Sequence, residues 1–500
     1  MPDLYQELCK LAESDMYPFH MPGHKRNLES TPMKGAFRCD ITEIDGFDNL
    51  HDEAGIIFEA ELRANKLYGS EETFFLVNGS TSGVLAALSA ATNEGDSILA
   101  ARGSHKSFYH AAYLRHLNIK YLPYKLDETY GIPLGYSALE VEKCISKETK
   151  AVFITSPTYE GICSEVEEIA KVCHARGIPL IVDAAHGAHF GFGNLPKSAV
   201  MQGADLVIHS VHKTLPSMTQ TALLHVQGDL IDRKKLKRFL RIYQSSSPSY
   251  ILMSSIDLCM KEMEEKGQEF ADKLLMYRDM IQNATGKLRC LEVPGKNAIE
   301  DPAKVMIYVK IGTMTGQALY DILREEYHLQ LEMAGDKYAL AIISGWDTEA
   351  GIKRLIEAVL DIDRKLFMEN GGQEISKDSE SEWGQICDAA NKVKIYDLPE
   401  AVMSIAQAWD AENEVVAFNK AAGRVAGEFI NLYPPGIPII APGEIISNEV
   451  ITETSHYLAN GMNVQGLSEL EQYKQLEGTV DSVKSHEMVD RKGILCVKQK

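Results

Sequence analysis

The 500-residue sequence lacks the features that mark several common classes of protein. Its nine cysteines include no Cys-x-x-Cys pair and no zinc-ligand spacing, so we predict a reduced, cytosolic protein without a metal site. No apolar run approaches the length of a transmembrane helix, and the polar start MPDLYQELCKLAESD has no signal-peptide pattern. Basic residues are also few. The chain has 51 Lys and Arg residues but 71 Asp and Glu residues, and the resulting formal net charge of -20 disfavours nucleic-acid binding.

Strand and helix patterns alternate through the first half of the chain. Short apolar, β-branched runs recur between helical patterns from ETFFLV (72–77) to TALLHV (221–226). These runs predict an α/β fold with a mainly parallel sheet covered by helices on both faces. Because 500 residues exceed one hydrophobic core, we predict several units. They are an irregular N-terminal segment (1–40), a large domain (41–300), a small α+β domain (301–367), a polar linker (368–382) and a C-terminal α+β domain (383–500).

Two polar segments are predicted to follow strands of this sheet. The first, VNGSTSG (77–83), joins a strand to a helix, where glycines, hydroxyls and open backbone N–H groups can bind a phosphate. Such a turn on its own also fits a simple helix cap. The second, DAAHGAH (183–189), places Asp183 at the C-terminal end of the strand PLIVD, at the edge of an open α/β sheet where ligands bind. Asp183 could pair with a cationic ring nitrogen or merely cap a turn, and the histidines lack a third ligand for a metal.

A third segment, SVHKT (210–214), puts Lys213 just after an apolar strand. Lysine is normally exposed, so a lysine at the inner end of a buried strand needs a partner. Partial burial favours the neutral amine that Schiff-base chemistry requires. A solvated loop lysine is the alternative when this segment is considered alone.

The order of the three segments is more specific than any one of them. A phosphate-type turn, a strand-end aspartate and, thirty residues further, a strand-end lysine are similar to the order in pyridoxal phosphate (PLP) enzymes of the aspartate-aminotransferase-like fold. In those enzymes the aspartate binds the protonated pyridine nitrogen and keeps the ring an electron sink, and the lysine forms a Schiff base with the cofactor. The resemblance implies these roles for Asp183 and Lys213.

Longer motifs narrow the resemblance to one family. These motifs are HMPGHKR (20–26), RGSHKS (102–107), SPTYEG (156–161), SVHKT (210–214) and YPPGIP (433–438). With them the sequence resembles the Orn/Lys/Arg decarboxylase family, prokaryotic major group, between about residues 15 and 450. The resemblance implies a cytoplasmic enzyme of polyamine synthesis that uses PLP to decarboxylate arginine, lysine or ornithine to an amine and CO2.

The resemblance also implies roles for the residues that match the family's motifs. Catalysis would depend on Lys213, Asp183 and His212, with His212 or Lys213 returning a proton to the substrate Cα. The groups expected to contact the cofactor are Ser80 and Thr81 at its phosphate, His105 stacked on the ring, Ala185 and His186 beside the ring, and Ser210 and His212, which flank Lys213 and would contact the phosphate or the substrate. Ser245 and Ser246 would reach the phosphate of a neighbouring subunit.

Two departures from the family pattern affect these expectations. The large enterobacterial members carry an N-terminal receiver-like wing domain that helps to build decamers, whereas here the PLP-domain motifs begin almost at once. We therefore expect a homodimer or a dimer-based oligomer. Position 186 is His, where several large members have Trp.

Other functions remain compatible with this fold. An aminotransferase or a Cβ–Cγ lyase would share the PLP site. An aminotransferase usually has an arginine late in the chain for the substrate α-carboxylate, a role open to Arg354 and Arg424. A non-enzymatic regulator would need a basic DNA-binding appendage, which this acidic sequence does not show.

The cationic end of a basic substrate requires a counter-charge of its own, because burying a charge without a partner is costly. The stretch YPPGIPIIAPGE (433–444) is stiffened by four prolines and ends in Glu444. We predict that Glu444 binds the substrate's head group. The alternative is that the prolines shape a domain junction and Glu444 is solvated.

Overall fold

A computed structural model describes residues 3–312, 314–371, 398–432, 436–470 and 491–498. Seven strands form its central sheet, namely β1 (Glu72–Leu76), β2 (Ser97–Ala100), β3 (Asn118–Tyr121), β4 (Thr149–Thr155), β5 (Leu180–Asp183), β6 (Leu206–Ser210) and β7 (Ala222–Val226). Their order across the sheet is β1-β7-β6-β5-β4-β2-β3.

The strand directions bring the polar segments to one edge of this sheet. β7 runs antiparallel to both of its neighbours, β1 and β6, and the pairs β2–β3, β2–β4, β4–β5 and β5–β6 are parallel. Six of the seven strands therefore point the same way, which confirms the predicted mainly parallel α/β sheet. Asp183 is the last residue of β5 and Ser210 is the last residue of β6, so both lie at the carboxyl edge.

Helices surround the sheet and the smaller sheets that follow it. They are α1 (Leu4–Glu13), α2 (Lys34–Cys39), α3 (Ile56–Tyr68), α4 (Gly79–Ala91), α5 (Lys106–Leu114), α6 (Ala138–Cys144), α7 (Val166–His174), α8 (Val211–Thr214), α9 (Arg233–Tyr243), α10 (Tyr250–Thr285), α11 (Gly316–Glu325), α12 (Glu349–Glu369), α13 (Ile405–Trp409) and α14 (Asn448–Ala459). None of these helices is long and apolar enough to span a membrane, within the part of the chain that is described.

Both faces of the central sheet are buried because its strands are apolar on both sides. In β4, Phe153 packs into one core and Val152 and Ile154 pack into another, as the two-residue period of a strand requires. The first core is completed by α4, α5 and α9, and the second by α6 and α7. A sheet covered in this way leaves the ends of its strands as the place where polar groups can meet.

The N-terminal segment, which was expected to be irregular, contains the helix α1. Asp3 caps this helix by accepting a hydrogen bond from the backbone N–H of Gln6. Leu4 and Leu8 lie one turn apart and are buried against α10, where the Leu4 N–H donates to Asp257 Oδ2 at 2.8 Å. The expectation was wrong although local signals were present, because Leu4, Leu8 and Leu11 follow the helical spacing i, i+4, i+7 and Asp3 supplies a cap. The contact with α10 stabilises the helix further.

Three smaller antiparallel sheets follow the central one. The first has the order β10-β11-β9-β8 and the others have the orders β12-β17-β16 and β14-β13-β15. Their strands are β8 (Leu291–Glu292), β9 (Lys304–Val309), β10 (Met333–Ala334), β11 (Tyr338–Ile342), β12 (Asn413–Ala417), β13 (Ile430–Leu432), β14 (Ile437–Ile440), β15 (Val464–Gln465), β16 (Ser468–Glu469) and β17 (Lys492–Val497). Residues 372–382 of the predicted linker and residues 433–435 of the YPPGIP motif lie outside the described residues.

Candidate active site

Asp183 ends β5 as a buried carboxylate with few partners. Its side chain is only 4% exposed, and Oδ1 accepts a hydrogen bond from the Ala185 N–H at 3.1 Å. Burial raises the pKa of Asp183 above its ordinary value, against the opposing effect of the Lys213 charge. A carboxylate in this state is incompletely compensated, so a cationic group such as a protonated pyridine nitrogen fits beside it.

Lys213 lies on α8, the single helical turn that follows β6. Its Nζ is 3.0 Å from Nε2 of His186. Burial lowers the pKa of Lys213, and the charges of Asp183 and Glu332 oppose that shift. The amine therefore loses its proton more easily than a solvated lysine does, which is what a nucleophilic amine requires.

His186 lies between two lysines. Its Nε2 faces Lys213, and its Nδ1 is 2.8 Å from Nζ of Lys304. Burial and then the charges of Lys304 and Lys213 hold the pKa of His186 well below its ordinary value, so the ring is neutral. The ring of Tyr159 packs on it with 4.5 Å between centroids.

The first turn of α4 and the end of β6 form the predicted phosphate region. Ala222 of β7 pairs with Leu76 on one side and with Ser210 on the other, so the two strand ends lie close together. Ser80, half-buried, and Thr81, exposed, belong to the first turn of α4. The Ser210 hydroxyl is buried and has no hydrogen-bond partner among the described residues. A buried hydroxyl of this kind fits an anionic ligand that would accept its hydrogen bond.

Two further histidines lie near enough to Lys213 for its charge to lower their pKa values. His105 caps the start of α5, where its Nδ1 accepts a hydrogen bond from the Ser107 N–H at 3.2 Å. Burial, helped by the charge of Lys213, lowers the pKa of His105 to about 4, so its ring is neutral. His212 donates from Nδ1 to the Thr221 carbonyl at 2.8 Å, which leaves Nε2 as its proton acceptor, and burial lowers its pKa as well.

Ser245 and Ser246 lie apart from this cluster, on the exposed connection between α9 and α10. The preceding residue is anchored, because Oε1 of Gln244 accepts a hydrogen bond from the Val77 N–H at 2.8 Å. The two serines therefore lie beside the phosphate-type turn but face outward, and no described hydrogen bond joins them to Lys213. Their contact with a neighbouring subunit stays a prediction.

Glu444 does not lie at a substrate site but in a buried ion pair. Its Oε2 is 2.9 Å from Nη2 of Arg102, and the side chains of both residues are only 2% exposed. The same Oε2 accepts a hydrogen bond from the Ala441 N–H at 2.7 Å. The carboxylate is already compensated and inaccessible, so the prediction that it binds the substrate's head group is wrong. The alternative of a solvated Glu444 is wrong as well.

Glu444→Gln is expected to lower the free energy of unfolding by roughly 3–5 kcal/mol, because the Arg102 guanidinium would remain buried without its counter-charge. Urea titration followed by circular dichroism measures this loss. Glu414→Gln is the matched control, since Glu414 forms a 2.6 Å ion pair with Arg424 in the same part of the chain but is exposed, and little change is expected there. A raised KM without any loss of stability would instead restore the substrate role of Glu444.

Three further charged residues of this region were not predicted from the sequence. Lys304, the first residue of β9, is fully buried. Asp301 precedes it and is 2.8 Å from Nε2 of His189. Glu332, just before β10, is exposed and accepts a hydrogen bond from the Tyr159 hydroxyl. For Asp301 and Lys304 the sequence signal was Asp301-Pro-Ala-Lys304, which places two charges directly before the apolar run VMIYV.

The described residues contain no group of three or more His, Cys, Asp or Glu side chains that could bind a metal ion. The donor set at the strand ends instead combines an amine, a carboxylate, neutral imidazoles and hydroxyls. Such a set can hold an aldehyde-bearing, phosphorylated and cationic ring of the pyridoxal phosphate type, because each of these features finds a complementary group.

Comparisons with known proteins agree with this description. The family model for the Orn/Lys/Arg decarboxylase major domain matches residues 2–337, and the model for the C-terminal domain matches residues 389–465. An arginine decarboxylase of Bacillus anthracis is 30% identical over 479 residues, which cover 93% of this chain and 94% of the relative. The lysine decarboxylase LdcA of Pseudomonas aeruginosa is 23% identical, over 89% of this chain and 74% of the relative.

A solved structure supports the fold. The lysine decarboxylase LdcF of Francisella novicida superposes with a TM-score of 0.81 and 20% identity, and the alignment covers 100% of this chain and 81% of that chain. At this level of identity the likeness concerns the fold alone. It confirms the fold class predicted from the sequence.

Proposed function

Because the chain belongs to the Orn/Lys/Arg decarboxylase family, we propose that it binds PLP at Lys213 and decarboxylates a basic amino acid, with arginine as its preferred substrate. The observation that carries the proposal is the placement of a half-buried lysine with a lowered pKa near a buried aspartate with a raised pKa, at neighbouring strand ends. We propose arginine rather than lysine because the arginine decarboxylase of Bacillus anthracis is more similar to this chain, and matches over more of its length, than the lysine decarboxylase LdcA.

Each part of the cofactor would have a partner in the site. When bound, PLP supplies a cationic ring that accepts the electron pair of the breaking bond between Cα and the carboxylate. Asp183 would keep a proton on the ring nitrogen, and Lys213 would hold the aldehyde carbon. The remaining contacts would come from Ser80, Thr81 and Ser210 at the phosphate and from His105, Ala185 and His186 around the ring.

The group that returns a proton to Cα would be His212 or Lys213. His212 is half-buried, and its Nδ1 proton is engaged with the Thr221 carbonyl. Its Nε2 can therefore take a proton and release it toward the site without any loss of that hydrogen bond. The charge of Lys213 is near enough to contribute to the lowered pKa of His212, so both the amine and the imidazole are candidates for this proton transfer.

The counter-charge for the substrate's head group would be Glu332 rather than Glu444. Glu332 is exposed at the edge of the site. Its negative charge is near enough to both lysines to oppose the lowering of the pKa values of Lys213 and Lys304 by burial. The Tyr159 hydroxyl donates to it and fixes its orientation. A guanidinium can donate two parallel hydrogen bonds to a carboxylate held in this way.

Glu332→Gln is expected to raise the KM for arginine about tenfold or more with a smaller change in kcat, because a charge-assisted hydrogen bond is lost in both ground state and transition state. Steady-state kinetics with arginine, lysine and ornithine measure the change. Glu325→Gln is the control, since Glu325 is an exposed glutamate at the end of α11 that pairs with Arg324. Unaltered KM values for all three substrates would remove Glu332 from the site.

The reaction itself is tested by incubating the PLP-loaded enzyme with each of the three amino acids. Release of CO2 in equal amount with the amine product supports decarboxylation, and the largest kcat/KM identifies the substrate. A 2-oxo acid without CO2 would support an aminotransferase instead. Neither arginine considered for that function supports it, because Arg354 donates to the carbonyls of Tyr327 and His328, and Arg424 pairs with Glu414.

We also propose a cytoplasmic homodimer or dimer-based oligomer. Large apolar side chains of the N-terminal segment are exposed on the single chain, with Phe19 at 89% and Tyr17 at 68%. The exposed Ser245 and Ser246 lie beside the phosphate-type turn. A second copy that covers these surfaces would remove apolar area from water and bring its own groups to the site.

A further inference from the structure

The ion pair between Arg102 and Glu444 joins two sequence motifs, and the proposed reaction leaves it without a role. Arg102 begins RGSHKS, and Glu444 ends the proline-rich stretch YPPGIPIIAPGE, 342 residues further along the chain. Nη1 and Nη2 of Arg102 donate to the two carboxylate oxygens of Glu444 at 2.5 and 2.9 Å, and Nη2 also donates to the Ile439 carbonyl at 3.2 Å. A bidentate contact of this kind fixes the orientation of the guanidinium as well as its distance from the carboxylate.

This pair makes the position of Arg102 depend on the C-terminal part of the chain, which is described at 398–432, 436–470 and 491–498. Both side chains are only 2% exposed, so neither charge has water as an alternative partner. A buried ion pair adds little net stability, but any arrangement that separates its members leaves a buried charge without compensation. Glu444 therefore restricts Arg102 to one position.

The backbone around Arg102 connects this position to His105, three residues further on. The Arg102 carbonyl accepts a hydrogen bond from the Tyr109 hydroxyl at 2.6 Å, and Tyr109 lies on α5, the helix that His105 caps. The Ser104 hydroxyl donates to the Ala101 carbonyl at 2.6 Å. The segment 102–105 between β2 and α5 is therefore bonded to both of its neighbours, and a shift of Arg102 would move the start of α5 with it.

The C-terminal part also packs along α5 itself. Phe429 meets Tyr109 edge to face, with 5.5 Å between ring centroids, and Trp409 meets Tyr113 in the same way at 4.9 Å. The Tyr113 hydroxyl donates to Oδ1 of Asp410 at 3.0 Å. The C-terminal part thus contacts both the helix that His105 caps and the loop that precedes it.

We propose that Arg102 and Glu444 are positioning residues whose ion pair holds the segment 102–105 so that the His105 ring faces the cofactor. The inference rests on the proposed function, in which His105 lies against the cofactor ring. Burial and then the charge of Lys213 lower the pKa of His105, so these two side chains are near each other. Displacement of the segment would take His105 away from the ring while Lys213 and Asp183 keep their places on β5 and α8.

The test compares the PLP-loaded full-length enzyme with the double variant Arg102→Met/Glu444→Leu. Replacement of a buried ion pair by apolar side chains removes both charges together, so the free energy of unfolding is expected to stay close to the wild-type value. The bidentate contact and the hydrogen bond to Ile439 are nevertheless lost. Stability and the position of His105 are therefore separated in this variant, which a single substitution at either position cannot do.

We expect PLP to dissociate about tenfold faster from the double variant, since the loss of a ring-stacking contact accounts for a change of this size. The loss of the cofactor's absorbance after dilution measures the rate. The visible circular dichroism of bound PLP, which reports the asymmetry around the ring, should weaken. We expect kcat to fall about 10²-fold with a smaller change in the KM for arginine, because Glu332 and not His105 would bind the head group.

Phe418→Leu is the matched control for a loss of stability in the C-terminal part. Phe418 is fully buried, in a hydrophobic cluster that contains no member of the segment 102–105 among the described residues. The smaller side chain should lower the free energy of unfolding and leave PLP release and circular dichroism unchanged. Equal changes in Phe418→Leu would assign the effect to stability and overturn the proposal.

A stable double variant that releases PLP at the wild-type rate would also overturn the proposal. If the double variant does not fold, Glu444→Asp takes its place, because it keeps the charge and shortens the side chain, and the same faster release is expected while it remains folded. Borohydride reduction separates this inference from the proposed function. An adduct on a lysine other than Lys213 would refute the cofactor site, whereas an adduct on Lys213 with unchanged release would refute only the role of Arg102 and Glu444.

Discussion

Replacing Lys213 with alanine is expected to remove covalent cofactor binding and to lower decarboxylation on the order of 10⁴-fold or more. The reason is that no other described amine combines partial burial, a lowered pKa and a position at the carboxyl edge of the sheet beside Asp183. Lys304 is near but is fully buried behind His186, so it cannot take over. The loss is measured as CO2 release, together with the loss of the yellow absorbance of the bound cofactor.

The same experiment identifies the attachment site directly. Borohydride reduction of the wild-type holoenzyme should fix the cofactor on the peptide that contains Lys213, as determined by mass spectrometry. Lys310→Ala provides the control, because Lys310 is solvent-exposed and should leave both labelling and turnover unchanged. A cofactor adduct on another lysine, or turnover by Lys213→Ala close to that of the wild type, would contradict the assignment.

Asp183→Ala is expected to lower kcat by about 10²- to 10³-fold while part of the PLP remains bound. The loss follows from electrostatics, because a ring nitrogen without a carboxylate partner loses its proton and accepts electrons poorly. Burial raises the pKa of the Asp183 carboxyl group above its ordinary value, so the neighbouring groups compensate the carboxylate incompletely and a cationic ring nitrogen would stabilise it. Phosphate contacts and Lys213 would still retain the cofactor, which distinguishes this variant from Lys213→Ala.

In Asp183→Ala, kcat measured by CO2 release should therefore fall much further than the cofactor content measured by absorbance. Asp229→Ala is its control, since Asp229 is exposed and follows β7, whose reversed direction places it at the opposite edge of the sheet. Near-normal turnover in Asp183→Ala would refute the electrostatic role. Complete loss of PLP would show instead that Asp183 is needed for binding.

The parts of the fold that local patterns specify were predictable. The run PLIVD gave β5 and the run DLVIHSV gave β6, because apolar, β-branched residues in short stretches are typical of buried strands. Their shared direction was predicted from the alternation of strand and helix patterns along the first half of the chain, although residues 184–205 between β5 and β6 form turns and no helix. The approach of Asp183 to Lys213 follows from that direction. The division of the chain at residues 301 and 383 stays a prediction.

What the sequence could not supply are the contacts between distant segments. Arg102 and Glu444 are 342 residues apart, so no spacing indicated that the carboxylate was already neutralised. Lys304 and His186 are separated by 118 residues and meet only because β9 packs against the loop after β5. The helix α1 is a different case: it also contacts Asp257 of α10, but its apolar spacing and its Asp3 cap are local, so it was predictable from the sequence.

The ion pair between Arg102 and Glu444 also determines when the site can be completed during synthesis. At a translation rate of roughly 5–20 residues per second, Glu444 is made about 20–70 s after Arg102. Until then the central sheet can form, but the Arg102 guanidinium has no carboxylate with which to form a buried ion pair. The loop from Arg102 to His105 is therefore expected to adopt its final conformation last, after the C-terminal segment has left the ribosome. A nascent chain arrested before residue 444 would carry Lys213 and Asp183 and yet present an unfinished cofactor pocket.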